Sequence, residues 1–458
     1  SQTTINIEMV VDAIGIEEVV AIGYGTQRKV DLTGAVATVS SEEISDLPTD
    51  RWDQAIQGRA AGVMVRSSNF KPGSSQAIRI RGINSISGSN APLIVIDGII
   101  GANMNSIDAN DIESVDILKD AAAASIYGSR GANGVILVTT KQGTIGKPTV
   151  TFNAYYGISE PTNVLEMMNA REYMEYVNDA RQYSGAEVAY PDVNGVVNQI
   201  GEGTDWWDEL IDVGSQQKYH LAVGGGTEKV AYNATVGYQK TDGLLSTVNF
   251  SRFTSRFNIS AQVSERLKLT GTIAYNSTEN NSYYDTSWPK HVSTLRGLSY
   301  PPVISPRDEQ GNLVPLIQNE YETGSPKRHT NVIYNLENEI RQSLGNYLQF
   351  NYMAELKLTD FLKYDLQVGL EPTFTGSRFF RPSTAVVEID ASLVQYPTAS
   401  KNHNRNNNWL VENYLTFDKD FNEVHQVTAI LGNSAQKFTA ESTGASARDF
   451  PFDQYEFH

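Results

Sequence analysis

The sequence predicts a mixed α/β domain followed by the antiparallel strands of a transmembrane β-barrel. Up to about Lys147, short apolar runs alternate with helical and glycine-rich segments. From Thr149 onward the hydrophobic period becomes two, in segments of about ten residues. The connections between these later segments are alternately tight and long. These three observations carry the assignment of the fold class.

Composition narrows the functions that the 458 residues can perform. Lys and Arg number 36 against 53 Asp and Glu, so no basic surplus exists to bind nucleic acid. The sequence has no cysteine, which excludes disulfides, thiol catalysis and zinc thiolates. It has no run of about 18 apolar residues, so no transmembrane helix is predicted. Because no signal peptide begins at Ser1, we expect an internal or processed piece of a larger protein.

The first regime starts with a helix whose Thr and Asp residues suit its N-terminus. Short apolar strands follow, and a helical turn and a glycine-rich turn separate the last two strands. In chain order, the predicted elements are a helix at Thr49–Gly58, strands at Val63–Val65, Ala77–Gly82, Pro92–Gly98 and Ser114–Leu118, a helical turn at Asp120–Tyr127 and a strand at Gly134–Thr140.

The second regime contains about nine alternating strands, each with one apolar and one polar face. They are predicted at 150–157, 217–225, 229–240, 251–263, 266–277, 343–358, 361–371, 408–418 and 424–435. A soluble antiparallel sandwich alternates in the same way. The gaps after the second, fourth, sixth and eighth strands are tight, and most of the others are long. Outer-membrane barrels sort their loops in this manner, which favours the barrel.

An odd number of strands does not close a single-chain bacterial barrel, and about nine are too few to surround a domain. Further strands are therefore expected to complete the wall. They would belong to a second chain or to a part of the same protein outside this sequence.

Several motifs resemble one family. The segments IEEVVAIGYGTQRKVDLTGAV, AIRIRG, LIVIDG and DIESVDILKDAAAASIYGSRGANGVILVTTK resemble the Ton box and plug domain of SusC/RagA-like TonB-dependent outer-membrane transporters of Bacteroidota. The segment TDWWDELIDVGSQQKYHLAVGGGTEK is similar to the family's first barrel hairpin. The resemblance implies an N-terminal segment with the Ton box at 1–29, a plug domain at 30–147 and the N-terminal part of a transmembrane β-barrel at 148–458. That part would hold about nine of the family's roughly 22 strands.

The resemblance also implies a function. It is TonB-dependent active import of an oligosaccharide (glycan) or peptide across the cell outer membrane. The implied partners are a TonB-type energy-coupling protein, a SusD-like surface lipoprotein and outer-membrane lipid, and transporter–lipoprotein pairs would be able to dimerise. A ligand-sensing signalling receptor and a surface adhesin are the alternatives.

Neither a catalytic site nor a cofactor is expected. The six His residues are scattered without metal-ligand spacing. Asp97, Asp108, Asp111 and Asp116 lack the spacing of an EF-hand. The glycines of YGSRGANG lack the spacing and the lysine of a P-loop, so they are interpreted as a structural turn.

The segment IEEVVAI suits binding of the energy-coupling protein, because an extended segment can add its backbone hydrogen bonds to a partner's sheet edge. An ordinary buried strand is the alternative. The TonB-binding candidates are Ile16, Glu17, Glu18, Val19, Val20, Ala21 and Ile22.

Substrate-binding candidates lie in the plug's apex loops and in the first long outer connection. They are Asn69, Phe70, Asn84, Ser85, Asn103, Trp206 and Trp207. The two tryptophans suit sugar stacking, an interfacial aromatic girdle or local packing.

Three further features remain open at the level of the sequence. Arg79, Arg81 and Arg130 either pair with carboxylates that hold the plug or are plain surface charge. The segment Lys401–Asn408 is expected to be an outer loop, and Asn169–Tyr183 an amphipathic helix.

Overall fold

The computed structural model describes residues 19–22, 25–28, 36–45, 49, 51–67, 71–282, 297–323, 328–389, 392–421, 425–451 and 453. It contains a small α/β domain, a nine-stranded antiparallel sheet and a layer of long connections at one end of that sheet. The fold class predicted from the sequence is confirmed.

The α/β domain, called the plug below, is built on a five-stranded sheet and a separate hairpin. Its elements are β1 (Val19–Ile22), β2 (Gly25–Arg28), β3 (Val36–Ser40), α1 (Ser41–Ser45), α2 (Trp52–Ala55), β4 (Val63–Ser67), β5 (Gln76–Ile80), β6 (Leu93–Ile96), β7 (Ile99–Ile100), β8 (Ile112–Leu118), α3 (Ala121–Ala124) and β9 (Val135–Thr140). The five-stranded sheet has the order β3-β8-β9-β6-β7, with only β6 and β9 parallel. The predicted helix at Thr49–Gly58 is shortened to α2.

The plug core lies around β8 and β9, which are central strands of the sheet. β9 begins with the branched apolar run VILV, the pattern of a strand buried on both faces, and β8 contributes the buried Ile112, Val115, Ile117 and Leu118. Trp52 of α2 is fully buried, and its Nε1 donates to the carbonyl of Met104, 3.1 Å away. This bond joins the start of the plug to the loop that follows β7.

The nine-stranded sheet is a simple meander in which each strand pairs with its predecessor and successor in the sheet. Its strands are β10 (Gly146–Ser159), β11 (Gly214–Gly226), β12 (Val230–Asp242), β13 (Asn249–Gln262), β14 (Leu267–Asn281), β17 (Ile340–Thr359), β18 (Leu362–Arg381), β21 (Thr398–Phe421) and β22 (His425–Arg448). All nine predicted strands are present. In the part of the chain that the structure describes, β10 and β22 are the edges of an open sheet.

The two faces of this sheet, called the wall below, differ as the alternation predicts. On β13, Arg252, Arg256 and Asn258 face the plug and are buried, whereas Phe253 and Phe257 on the opposite face are exposed. A polar inner face and an apolar outer face match a lipid-facing barrel wall.

Several strands run farther at their outer ends than predicted. The segment Lys401–Asn408, expected to be a loop, belongs to β21 and pairs in register with β18. Asn404 donates to Thr375 across the pair, 3.4 Å away. The hydrophobic period cannot reveal this part of the strand, because its side chains are almost all polar while the backbone ladder continues.

The long connections at the outer end form a domain with its own apolar core. It contains α4 (Ala170–Tyr183), α5 (Val193–Ile200), α6 (Trp206–Leu210), α7 (Val332–Asn338), the hairpin of β15 (Leu316–Gln318) and β16 (Arg328–Thr330), and the hairpin of β19 (Val387–Ile389) and β20 (Ser392–Val394). The predicted helix at Asn169–Tyr183 is confirmed as α4, where Asn169 and Glu172 form a capping box.

Across the described residues, the structure contains no helix with the length and apolar character needed to cross a membrane.

The glycine-rich turn before β9 supplies a test of the plug's packing. Gly128 and Gly134 both have positive φ, at 59° and 86°. A Cβ on Gly134 would lie 2.7 Å from Ile80 Cδ1, whereas a Cβ on Gly128 would meet nothing within 4 Å. We expect Gly134→Ala to destabilise the plug by about 1–3 kcal/mol more than Gly128→Ala, because overpacking adds to the shared backbone strain.

Thermal unfolding of the two variants in detergent measures this difference. Equal melting temperatures would show that Gly134 is retained for its backbone conformation alone.

Candidate functional site

The plug touches the wall mainly through charged and polar side chains. Three plug carboxylates, Asp97, Asp108 and Asp111, meet three wall side chains. The wall partners are His220 of β11 and Arg252 and Arg256 of β13, and the six residues together are called the clamp. All six are buried or nearly so.

Local sequence places each carboxylate of the clamp. Asp97 and Gly98 both have positive φ and form the tight turn between β6 and β7, as an Asp-Gly pair favours. A Cβ on Gly98 would lie 2.5 Å from Gln367 of the wall, so glycine also permits the close approach. Asp108 caps a 3₁₀ turn, Ala109–Asp111, that ends at the third acid, Asp111.

Asp97 connects the plug's own sheet to the wall. Its carboxylate accepts hydrogen bonds from the Thr140 backbone N–H at 3.0 Å and from the Thr140 hydroxyl at 2.9 Å. The Arg256 guanidinium lies 3.3 Å from the same carboxylate. Its backbone carbonyl accepts from Asn351 and Gln367 on two further wall strands.

Asp108 forms the shortest ion pair of the clamp. Its Oδ2 lies 2.6 Å from an Arg252 nitrogen that also donates to Gln239. Burial raises the pKa of the Asp108 carboxyl, but the Arg252 guanidinium and the backbone N–H of Asn110 outweigh burial and lower this pKa to about 2. Asp108 is therefore ionised throughout the physiological range.

Asp111 binds two wall residues at once. Its Oδ1 lies 3.0 Å from His220 Nε2, and its Oδ2 lies 4.0 Å from Arg256 Nε. Arg256 thus pairs with acids from two separate plug turns and also donates to Gln349 of β17. Arg256 therefore links the turn at Asp97, the turn at Asp111 and strand β17.

The rest of the interface is weaker. Along β14, β17 and β18, the plug is held by hydrogen bonds such as Asn103 N–H to Glu371 Oε1 at 3.1 Å. Among the described residues, every ion pair between plug and wall involves β11 or β13. Removing one partner of a buried ion pair costs about 3–5 kcal/mol, whereas a hydrogen bond contributes about 1 kcal/mol net. The clamp therefore dominates the attachment of the plug.

Two cavities lie between the plug and the wall in the part of the chain that the structure describes. An outer cavity of about 310 Å³ lies beside Asn105 of the plug and Tyr347 and Asn280 of the wall, near the long connections. An inner cavity of about 420 Å³ lies beside the Asp97–Gly98 turn, with Lys268 and Glu355 near the tight turns of the wall. The outer lining is uncharged, and the inner lining carries both signs of charge.

The structure spreads the predicted substrate-binding residues over different surroundings. Asn84 and Ser85 lie in a loop organised by Asn90, whose Oδ1 accepts from both backbone N–H groups at 2.8 Å. Asn103 lies against the wall through Glu371. Asn69 and Phe70 lie outside the described residues.

Trp206 is 2 % exposed and belongs to the core of the outer-loop domain. Its ring packs edge-on against Tyr300, and its Nε1 donates to the Pro301 carbonyl at 3.1 Å. This packing leaves neither a face for a sugar nor a place in a membrane girdle. Its neighbour Trp207 remains half-buried.

The plug arginines considered from the sequence do not form the clamp. Arg81 pairs with Asp120 within the plug, and Arg130 donates to Gln436 of β22. In the clamp the charges are reversed, with plug carboxylates and wall arginines. The signal was present in the sequence, since Arg252 and Arg256 lie on the polar face of an otherwise neutral strand.

The carboxylates that lack the spacing of an EF-hand have other partners in the structure. Asp97, Asp108 and Asp111 instead serve the clamp, and Asp116 accepts from Thr38 at 2.6 Å. The described residues include no group of three or more His, Cys, Asp or Glu side chains placed to hold a metal ion.

Comparison with known proteins supports this architecture. A sequence profile described as the TonB-dependent Receptor Plug Domain matches residues 28–135. TonB-dependent receptor P26 of Formosa agariphila is 32% identical over 440 residues, which cover 94% of this chain and 42% of that protein. SusC of Bacteroides thetaiotaomicron is 36% identical over 254 residues, covering 53% of this chain and 24% of SusC.

Solved structures agree with the sequence relatives. The RagAB peptide importer in its open-open state superposes with a TM-score of 0.82 at 25% identity, covering 95% of this chain and 51% of that one. A ferripyoverdine receptor of Pseudomonas aeruginosa, at 12% identity and a TM-score of 0.57, shares the fold. The chain spans less than half the length of the curated relatives it matches.

The lowered pKa of Asp108 leads to a test by pH. A carboxyl whose pKa is below its ordinary value of 3.8 contributes stability in full above that value and loses it as the pH falls toward about 2. We expect Asp108→Asn to be less stable than wild type by about 2 kcal/mol near neutral pH. This gap should shrink as the pH falls from about 4 toward 2, since Asp108 then becomes protonated.

Thermal unfolding at several pH values measures the gap, with Asp179→Asn on the exposed face of α4 as the control. A gap that does not change with pH would mean that Asp108 stabilises the plug through packing and not through charge.

Proposed function

The chain belongs to the SusC/RagA-like TonB-dependent transporters, and we propose that the whole protein imports an oligosaccharide or a peptide across the outer membrane. Transporters of this family are not enzymes. The carrying observation is the clamped plug between two cavities, one near the outer-loop domain and one near the tight turns. A few buried ion pairs hold the plug against the wall, and a force applied to the plug can displace it.

The chemistry of the outer cavity supports a cargo rich in hydroxyl or amide groups. Its lining includes the amides of Asn105 and Asn280, the hydroxyl of Thr278 and the rings of Phe250 and Tyr347. Uncharged hydrogen-bonding groups beside aromatic rings suit sugars and peptide backbones alike. The structural neighbour RagAB is a peptide importer, so the proposed cargo includes peptides as well as oligosaccharides.

Energy coupling is proposed to act at Ile16–Ile22. Ile16, Glu17 and Glu18 lie outside the described residues, and Val19–Ile22 form β1, which pairs antiparallel with β2. Among the described residues, no strand pairs with the other edge of β1. A TonB-type protein could extend this two-stranded sheet by adding its own strand.

The same proposal covers the remaining partners and the domains. A SusD-like lipoprotein would lie over the outer-loop domain, and transporter–lipoprotein pairs could dimerise. Further strands would pair with β10 and β22 to close the barrel, because open edges are not tolerated in lipid. The division into residues 1–29, 30–147 and 148–458 belongs to this proposal.

Deletion of Ile16–Ile22 from the full-length transporter tests the proposal. We expect energised uptake to be lost while binding at the cell surface is retained, because this segment contacts the coupling protein and not the cargo. Two probes are used in parallel: a fluorescein-labelled peptide pool and a fluorescein-labelled oligosaccharide pool.

The matched control replaces Glu17 and Glu18 with Gln, which preserves the backbone that pairs with the partner strand. This control should import within about twofold of wild type, since main-chain hydrogen bonds supply the affinity. Uptake that persists unchanged after the deletion would contradict the role of the segment.

A further inference from the structure

The plug is attached to the wall in two chemically different ways. In the clamp, ion pairs join it to β13 and the buried Asp111–His220 pair joins it to β11, whereas hydrogen bonds alone join it to β14, β17 and β18 in the described part of the chain. Resting on the import proposed above, we infer that cargo passes between the plug and one sector of the wall. This sector consists of β14, β17, β18 and β21, and the plug stays clamped to β11 and β13 during passage.

Both cavities lie against this one sector. Residues of β14, β17, β18 and β21 line the outer cavity at the outer ends of these strands and the inner cavity at their inner ends. Of the clamped strands, β13 contributes Phe250 to the outer cavity, whereas most described lining residues of the wall belong to the sector β14, β17, β18 and β21. Both cavities therefore lie mainly along the weakly attached side.

One plug segment lines both cavities, since Gly98 lies beside the inner cavity and Asn105 beside the outer one. This gate segment, residues 98–105, begins directly after the clamp residue Asp97 and contains β7 and the loop that follows it. The Asp97 carbonyl accepts from Asn351 at 2.7 Å and from Gln367 at 3.1 Å. These are single hydrogen bonds, which water or a passing hydroxyl or amide group can replace.

Buried wall groups without a hydrogen-bond partner occur on both sides of the interface among the described residues. They include Asn276 Oδ1 of β14 and Gln349 Nε2 of β17, and also Thr235 Oγ1 and Arg252 Nε on the clamped side. Within the weakly attached sector, such groups offer hydrogen bonds to a cargo that takes the place of the gate segment.

The wall also presents a glycine, without a side chain, where the gate segment packs against it. Gly369 of β18 faces Ile99, and a Cβ on this glycine would lie only 3.2 Å from Ile99 Cγ1. An apolar side chain against a bare backbone makes no directional bond. The gate segment can therefore move along this strand without breaking a specific contact at Ile99.

Two threonines provide matched reporters of the path. Thr272 of β14 lines the inner cavity, and Thr235 of β12 lies on the clamped side. Both are the sixth residue of their strands, both face the plug, and they are 3 % and 4 % exposed. This sequence has no cysteine, so Thr272→Cys and Thr235→Cys place a new thiol at each site.

The experiment labels each variant of the full-length transporter in intact cells, in a medium where the transporter supports growth. The probe is a maleimide-linked polymer too large for general porins, added from outside with the energy source intact or collapsed by a protonophore. We expect Thr272→Cys to react about tenfold faster in energised cells, because only an exposed thiolate reacts. Thr235→Cys should stay unlabelled in both conditions.

Two labelling outcomes would overturn the inference, and parallel uptake assays separate its failure from that of the import proposal. Equal energised labelling of both thiols would mean that the plug leaves the wall as a whole, and no energised labelling of Thr272→Cys would mean that this sector stays closed. If uptake of the fluorescent pools succeeds while Thr272→Cys stays unlabelled, the path is wrong and import stands. If uptake fails while Thr272→Cys is labelled on energisation, the sector opens and the import proposal alone fails.

A tether supplies an independent check. Cysteines at Ile99 and Gly369 would lie within disulfide reach, as the 3.2 Å approach indicates. We expect the oxidised tether to abolish the energised labelling of Thr272→Cys and reduction to restore it. Labelling that persists with the tether closed would contradict movement of the gate segment.

Discussion

The buried pairing of plug carboxylates with wall arginines is the interaction on which the rest of this structure depends. Arg256 contacts Asp97 and Asp111, and Arg252 contacts Asp108, so two inward positions of one strand, separated by Thr254, hold two turns of the plug. Neither side is stable alone in its buried position, because an unpaired buried charge costs several kcal/mol. The clamp therefore specifies how the plug sits against the wall as well as how firmly.

Because the charged contacts lie on β11 and β13, the plug is attached strongly to these strands and weakly to the sector β14, β17, β18 and β21. Along this sector, neutral groups such as Asn351 and Gln367 donate to a backbone carbonyl of the plug, and cavities remain. The wall itself is rigid, since every strand of the meander is bonded along its length to its neighbours in the sheet. The plug is therefore the part that moves, and within the plug it is the gate segment, which forms no ion pair among the described residues.

The sequence predicted the strands well and the interface poorly. Period-two alternation located all nine wall strands, because one face must be apolar and the other polar. It missed the outer extensions, such as Lys401–Asn408, where both faces are polar and only the backbone ladder defines the strand. The sequence leaves Trp206 open between a sugar-binding face, a membrane girdle and local packing, because its packing partner Tyr300 is far away in the sequence.

The clamp could not be predicted from the sequence for a related reason. Its members come from separate segments, and only the folded register brings Arg252 opposite Asp108. The sequence drew attention to plug arginines and to the carboxylates of a possible metal site, because spacing along the chain was the available evidence. An arginine on the inward face of a barrel strand was the better indicator, since its charge requires a buried partner.

The central claim is that the clamp holds the plug against the wall, and hydrogen exchange tests it most directly. Full-length Arg256→Met is compared with wild type and with Arg405→Met, an exposed arginine on β21. The account predicts amide exchange at least about tenfold faster around Asp97 and Asp111 in Arg256→Met alone, because local opening there becomes easier. Unchanged exchange at both turns would contradict it and show that packing, without the ion pairs, holds the plug in place.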